Sequence, residues 1–199
     1  TLTKNGNYVF EIGGARSPLH IFYGKPEDAP QRESVAHYFG PGLHYPGLIT
    51  LKDNDVLYID KDAYVFGSIF SDGAENIKIC GGGVLDNSCE RRIFENCYEP
   101  LTKGCLRLYD CKNVSIDGII LLDSSNWTLA LFDCEDVKID GVKILGQWRY
   151  NTDGIDIVNS RNVTVKNCFV RSFDDSVTLK AIYDHQKPIE NITVENCVL

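Results

Sequence analysis

Five short segments of this chain repeat one pattern, an Asn or Asp followed by apolar residues at every second position: Asn76-Ile77-Lys78-Ile79, Asn113-Val114-Ser115-Ile116, Asp136-Val137-Lys138-Ile139, Asn162-Val163-Thr164-Val165 and Asn191-Ile192-Thr193-Val194. Alternation with period two in β-branched residues is the signal of a strand with one buried face. The segments begin 37, 23, 26 and 29 residues apart, and the long first interval holds an excursion from about Asp86 to Gly104. No helical periodicity lies between them. One such unit cannot bury its own apolar face, whereas stacked units bury a continuous one, so the repeat predicts a β-solenoid rather than a sandwich or a βαβ fold.

A second strand recurs in step with the first. Leu106-Arg107-Leu108, Leu129-Ala130-Leu131, Ile155-Asp156-Ile157 and Val177-Thr178-Leu179 align at intervals of 23, 26 and 22 residues. With the outer apolar pair of each triplet turned inward, Arg107, Ala130, Asp156 and Thr178 are expected to form a column on the outside. Val142-Lys143-Ile144 and Phe169-Val170-Arg171 supply a third strand, which completes a three-stranded rung. The leading Asn residues have a structural reading that takes precedence: Asn tolerates left-handed turns, and stacked amides bond from rung to rung. The Asn-x-Ser/Thr sequons at Asn113, Asn126, Asn162 and Asn191 are largely by-products of that ladder.

The expected division is an N-terminal β-element and loop over residues 1–39, broken by Gly13-Gly14 and Pro18, followed by parallel β-helix coils over 40–199. Residues Glu190 to Leu199 open a rung without finishing it, so the C-terminal coils are expected to be missing and a parallel edge to stand open.

The net charge of -8 and the scatter of the twenty Lys and Arg exclude a nucleic-acid surface. No apolar run in this sequence is long enough for a membrane span, and its first twenty residues lack the charged start and apolar middle of a signal peptide. Eight cysteines without CxxC or Cys/His spacing argue against zinc, and no cofactor is expected. They read either as disulfides of an exported protein or as buried thiols, the latter preferred for Cys168 and Cys197.

Chemistry enters two residues before the second strand, where the same register aligns Gly104, Trp127, Asp153 and Asp175. Carboxylates on adjacent rungs, with Asp174 beside them, repel one another; this tends to raise at least one pKa and keep a proton available for general acid/base work. Taken singly, Asn151-Thr152-Asp153-Gly154 is a turn tetrapeptide and Asp174-Asp175 a solvated pair. Their common register favours a site, because an idle stack of acids costs stability.

These segments carry a resemblance. Asn151-Thr152-Asp153-Gly154-Ile155-Asp156, Ser160 to Cys168 and Asp174-Asp175 resemble the central motifs of glycoside hydrolase family 28, the polygalacturonases, and Gly40-Pro41-Gly42-Leu43-His44 and Gly81 to Asp86 resemble its early coils. The resemblance implies an all-β, right-handed parallel β-helix and inverting hydrolysis. It makes Asp174 the acid that protonates the leaving oxygen, and Asp153 and Asp175 the residues that activate water. Phe173 and Ser176 stand where the family has Gly and Cys, and its later Gly-His-Gly and Arg-x-Lys motifs are absent; His185 lies too near Asp175 to match and reads as a loop residue.

Asn151, Asp156, Lys180, Arg149 and Trp127 are the candidate substrate-binding neighbours. For Lys180 a solvated lysine is the competing reading, and for Trp127 a core filler. The expected partner is a pectic or related plant polysaccharide or oligosaccharide, met outside the cell or in a periplasm. Two rivals stand beside this reading: a polysaccharide lyase, in which the three aspartates hold Ca²⁺, and a non-catalytic carbohydrate-binding β-helix.

Overall fold

A computed structural model describes residues 4–14, 18–24, 29–91, 104–182, 185 and 187–199, so most of the excursion before Gly104 lies outside the described residues. The fold is a parallel β-solenoid of about six turns. Its first face stacks His37–Phe39, Val56–Ile59, Lys78–Gly81, Lys112–Asp117, Glu135–Asp140, Arg161–Lys166 and Glu190–Glu195, all parallel. The second stacks Val84–Asp86, Ile120–Leu122, Lys143–Gly146 and Phe169–Ser172. The third stacks Leu106–Tyr109, Leu129–Phe132, Ile155–Val158 and Val177–Lys180. In the early coils, Gly42–Thr50 and Ala63–Asp72 are long strands, and the latter runs through both of these faces. The parallel stack begins at His37, just ahead of the expected boundary, and an antiparallel hairpin of Gly6–Phe10 and Leu19–Tyr23 precedes it.

Each rung contributes the alternate residues that the sequence pattern requires. Ile79, Ile116, Ile139 and Val165 are fully buried, as are Leu108, Leu131 and Ile157, in one core along the axis. The turns use the expected Asn device. Asn76, Asn113, Asp136, Asn162 and Asn191 all have φ between 53° and 60°. The Asn113 amide donates to Asn76 at 2.7 Å, Asn162 to Asp136 at 2.9 Å and Asn191 to Asn162 at 2.9 Å. None of the seven described cysteines forms a disulfide; Cys105, Cys111, Cys134 and Cys168 are buried in the core.

One expectation needs correction. Arg107, Ala130, Asp156 and Thr178 do align across neighbouring strands, but their column is covered: Arg107, Ala130 and Asp156 are fully buried. A second apolar cluster of Tyr109, Trp127, Ala130, Phe132 and Val158 lies on the outer side of the third face, with Phe70 and Ile182 against it. Tyr109 and Phe132 stack with centroids 4.4 Å apart. The segment after Lys180 is tied over this cluster by Asp133, which accepts from the Lys187 backbone and bonds His185, and by Asn159, whose amide donates to the Lys187 carbonyl. The continuous apolar run Leu129-Ala130-Leu131-Phe132 was the available signal, since strands covered on both sides lose their alternation.

Candidate active site

The turn that delivers Asp153 is built from its neighbours. Asn151 takes the left-handed conformation at φ 61°, and its amide donates to Asn126 Oδ1 at 3.2 Å. The Thr152 hydroxyl lies within hydrogen-bond reach of the Gly146 and Arg149 carbonyls. Gly154 then enters the third face so closely that an added Cβ would meet the Ser176 carbonyl oxygen at 2.4 Å, which explains why glycine follows the acid. The Thr128 N–H donates to the Asp153 carbonyl at 2.8 Å and the Gly154 N–H to the Asp175 carbonyl at 2.8 Å, so Trp127, Asp153 and Asp175 occupy equivalent places on successive coils.

The carboxyls themselves differ in surroundings. Asp153 is buried, whereas Asp174 and Asp175 are exposed. Lys180 Nζ donates to Asp153 Oδ2 at 2.6 Å and also to Asp156 Oδ1, which accepts from the Thr178 hydroxyl at 2.9 Å as well. The same ammonium sits 3.9 Å from the centre of the Trp127 ring, and the Arg107 guanidinium lies 5.8 Å from that ring. Lys180 is therefore a bridging residue, half-buried, rather than a solvated one.

Two carboxyls and one ammonium out of water do not balance if all three are ionised. Burial, with the charge of Asp153 added, pushes Asp156 up to about 7 against the pull of Lys180 and Thr178. Burial also raises Asp153; Lys180 opposes this and the charge of Asp174 adds to it. Burial pulls Lys180 down, but Asp156 and Asp153 outweigh it and hold the ammonium above its ordinary value. Oδ1 of Asp153 and Oδ2 of Asp156 are buried without a donor. A proton carried by Asp156 supplies one, and a hydrogen bond from Asp156 is among the influences that hold Asp153 down. The cluster thus keeps Lys180 charged, holds Asp153 above its ordinary value by less than burial alone would, and leaves Asp156 able to take up a proton near neutrality.

The remaining sequence candidates have structural engagements. Arg149 pairs with Asp123 at 3.2 Å and donates to the Ser88 and Glu90 carbonyls, and Trp127 is buried. Sequence reasoning missed the interdependence of Asp153, Asp156 and Lys180, although the pairing of Val158 with Lys180 already brings Asp156 within a long side chain's reach. It also missed the exposure of the Trp148 ring, five residues before Asp153, and of the Phe173 ring next to Asp174.

Residues 43–199 match the family model described as Glycosyl hydrolases family 28. Among solved structures, the chain is similar to a provisionally assigned glycosyl hydrolase from Parabacteroides merdae, at 22% identity and a TM-score of 0.69, over 80% of this chain and 78% of that one. It is similar to a family 28 exopolygalacturonase from Yersinia enterocolitica at 17% identity and a TM-score of 0.69, over 79% of this chain and 42% of that one. A polygalacturonase from Erwinia carotovora gives 19% identity and a TM-score of 0.69, over 78% and 52% respectively. The chain therefore spans about half the length of the two polygalacturonases. No curated protein matches it.

Proposed function

This chain belongs to family 28 of the glycosyl hydrolases, and from that premise we propose that it carries the catalytic carboxyls of a glycosidase that cleaves a pectic or related plant polysaccharide with inversion. The observation that carries the reading is the contrast between one buried, lysine-bridged carboxyl and two exposed ones on the next coil. In the proposed step Asp174 gives its proton to the glycosidic oxygen as that oxygen's bond to the anomeric carbon breaks. A water oxygen bonds to the opposite face of that carbon, and its proton passes to the Asp153 and Asp175 carboxylates. Lys180 supports the role of Asp153 by favouring its ionised form. Inverting enzymes separate their carboxyls by roughly 6.5–9.5 Å to admit the water, and a diagonal between coils about 4.8 Å apart suits that spacing. We extend the reading to an extracellular or periplasmic site of action, where a polymeric substrate of this kind would be met.

The test is hydrolysis of pectic polysaccharides by the full-length protein, with proton NMR of the first product. Newly formed reducing ends of inverted configuration are expected, and a retained configuration would remove the water-activating roles. The lyase alternative is disfavoured by the same cluster. A lyase base must be neutral to abstract a proton, whereas two carboxyls hold Lys180 protonated, and that ammonium competes with Ca²⁺ for the Asp153 carboxylate. An unsaturated product abolished by a chelator would reverse this choice.

A further inference from the structure

The segment that leads into Asp153 exposes two large aromatic rings although its backbone is held firmly. Trp148 and Tyr150 are 51% and 61% exposed. Between them Arg149 is fixed by Asp123, Ser88 and Glu90, and after them Asn151 and Thr152 are each hydrogen-bonded. On the next coil Phe173, 50% exposed, immediately precedes Asp174 and occupies the place where the resemblance leads one to expect Gly. Its ring meets Tyr150 edge to face, with centroids 5.9 Å apart and planes at 74°. Both rings keep half or more of their surface exposed next to the Asp174 carboxyl, and exposed aromatic area beside convergent polar groups suits the stacking of a ligand ring.

We propose that Tyr150 and Phe173 form a stacking platform for an uncharged pyranose ring of the substrate, seated beside Asp174. The proposal rests on the glycosidase reading. A pyranose offers a face of C–H groups that stacks on an aromatic ring while its hydroxyls turn toward neighbouring carboxyls. Preference for an uncharged ring follows from the surroundings. The negative ring face and the exposed Asp174 and Asp175 repel a sugar carboxylate, and two nearby cations, Arg149 and Lys180, are already engaged by Asp123 and by Asp153 and Asp156.

The test uses the full-length protein carrying Asp174→Asn to prevent turnover. It is titrated calorimetrically with oligogalacturonides of equal length, one set fully methyl-esterified and one de-esterified. The esterified set is expected to bind more tightly. Tyr150→Ala and Phe173→Ala should each weaken that binding roughly 3- to 10-fold, as loss of one aromatic stacking contact does. Phe173→Leu, which keeps apolar bulk without a ring face, should weaken it as Ala does, and Tyr150→Phe should leave it within about twofold. Equal affinity of folded ring variants and parent, tighter binding of the de-esterified set, or no binding of either set overturns the platform. Reducing-end release by the unmodified protein tests the other reading separately. Ring-dependent binding without release keeps the platform and removes the hydrolase, whereas release with ring-independent binding does the reverse.

Discussion

Lys180 is the residue through which the buried charges of the site communicate, and three predictions follow from its position. Lys180→Met leaves two carboxyls facing each other without a cation. A fully buried pair broken on one side loses about 3–5 kcal/mol; because a quarter of the Lys180 side chain is exposed, roughly 2–3 kcal/mol is expected from urea unfolding. The same change should move the acidic limb of the pH–rate profile upward, since Asp153 loses what holds its pKa down. Asp156 gives a stability signature of opposite origin. Its folded pKa of about 7 exceeds the ordinary 3.8, so its contribution is complete below about pH 4 and is lost as pH rises through 7. The melting temperature should therefore decline between those values, and Asp156→Asn should flatten the decline; an unchanged slope would mean that Asp156 is not the titrating group. Among the proposed catalytic acids, Asp174→Asn should lower turnover by about 10²–10⁴-fold with little change in melting temperature, because Asp174 is exposed. A substrate with a good leaving group should restore part of its rate. Asp175→Asn should show no such recovery, and neither should Asp153→Asn, which alters the Lys180 cluster as well.

The elements are held in register by their turns, and here the two uses of Asn separate experimentally. Asn162 combines φ 55° with an amide that donates to Asp136 and an oxygen that accepts from Asn191. Asn162→Gly keeps the backbone freedom and loses the hydrogen bonds, which predicts a loss of about 1 kcal/mol. Asn162→Ala loses both and should cost about 1 kcal/mol more. Equal losses in chemical denaturation would show that the amide ladder, and not the left-handed turn, decides the preference. This ladder was legible in the sequence because its period and its residue type coincide. The second cluster over the third face was less so, since Tyr109, Phe132, Val158 and Ile182 reveal a common surface only when the coils are stacked. Asp153, Asp174 and Asp175 were legible as a register coincidence. The difference in their burial was not, because it depends on Asp156 three residues along the same coil and on Trp127 and Lys180 on the neighbouring coils.

For the molecule as a whole, the parallel stack turns a chemical distance into a structural constant. Asp153 and Asp175 sit on successive coils joined by the hydrogen bond from the Gly154 N–H to the Asp175 carbonyl. The axial offset between them is therefore the pitch of the solenoid, the same pitch that spaces every Asn of the ladder and every apolar row of the core. Changing it by one ångström would require stretching the whole set of rungs, since no local hinge lies between them. Selection acting on a molecule of this kind has little freedom to adjust the axial offset of the proposed catalytic carboxyls and wide freedom to alter what surrounds them. Diversity of substrate should then accumulate in the segments that leave and rejoin the rungs, such as the one bearing Trp148 and Tyr150, while the ruler beneath them stays the same length.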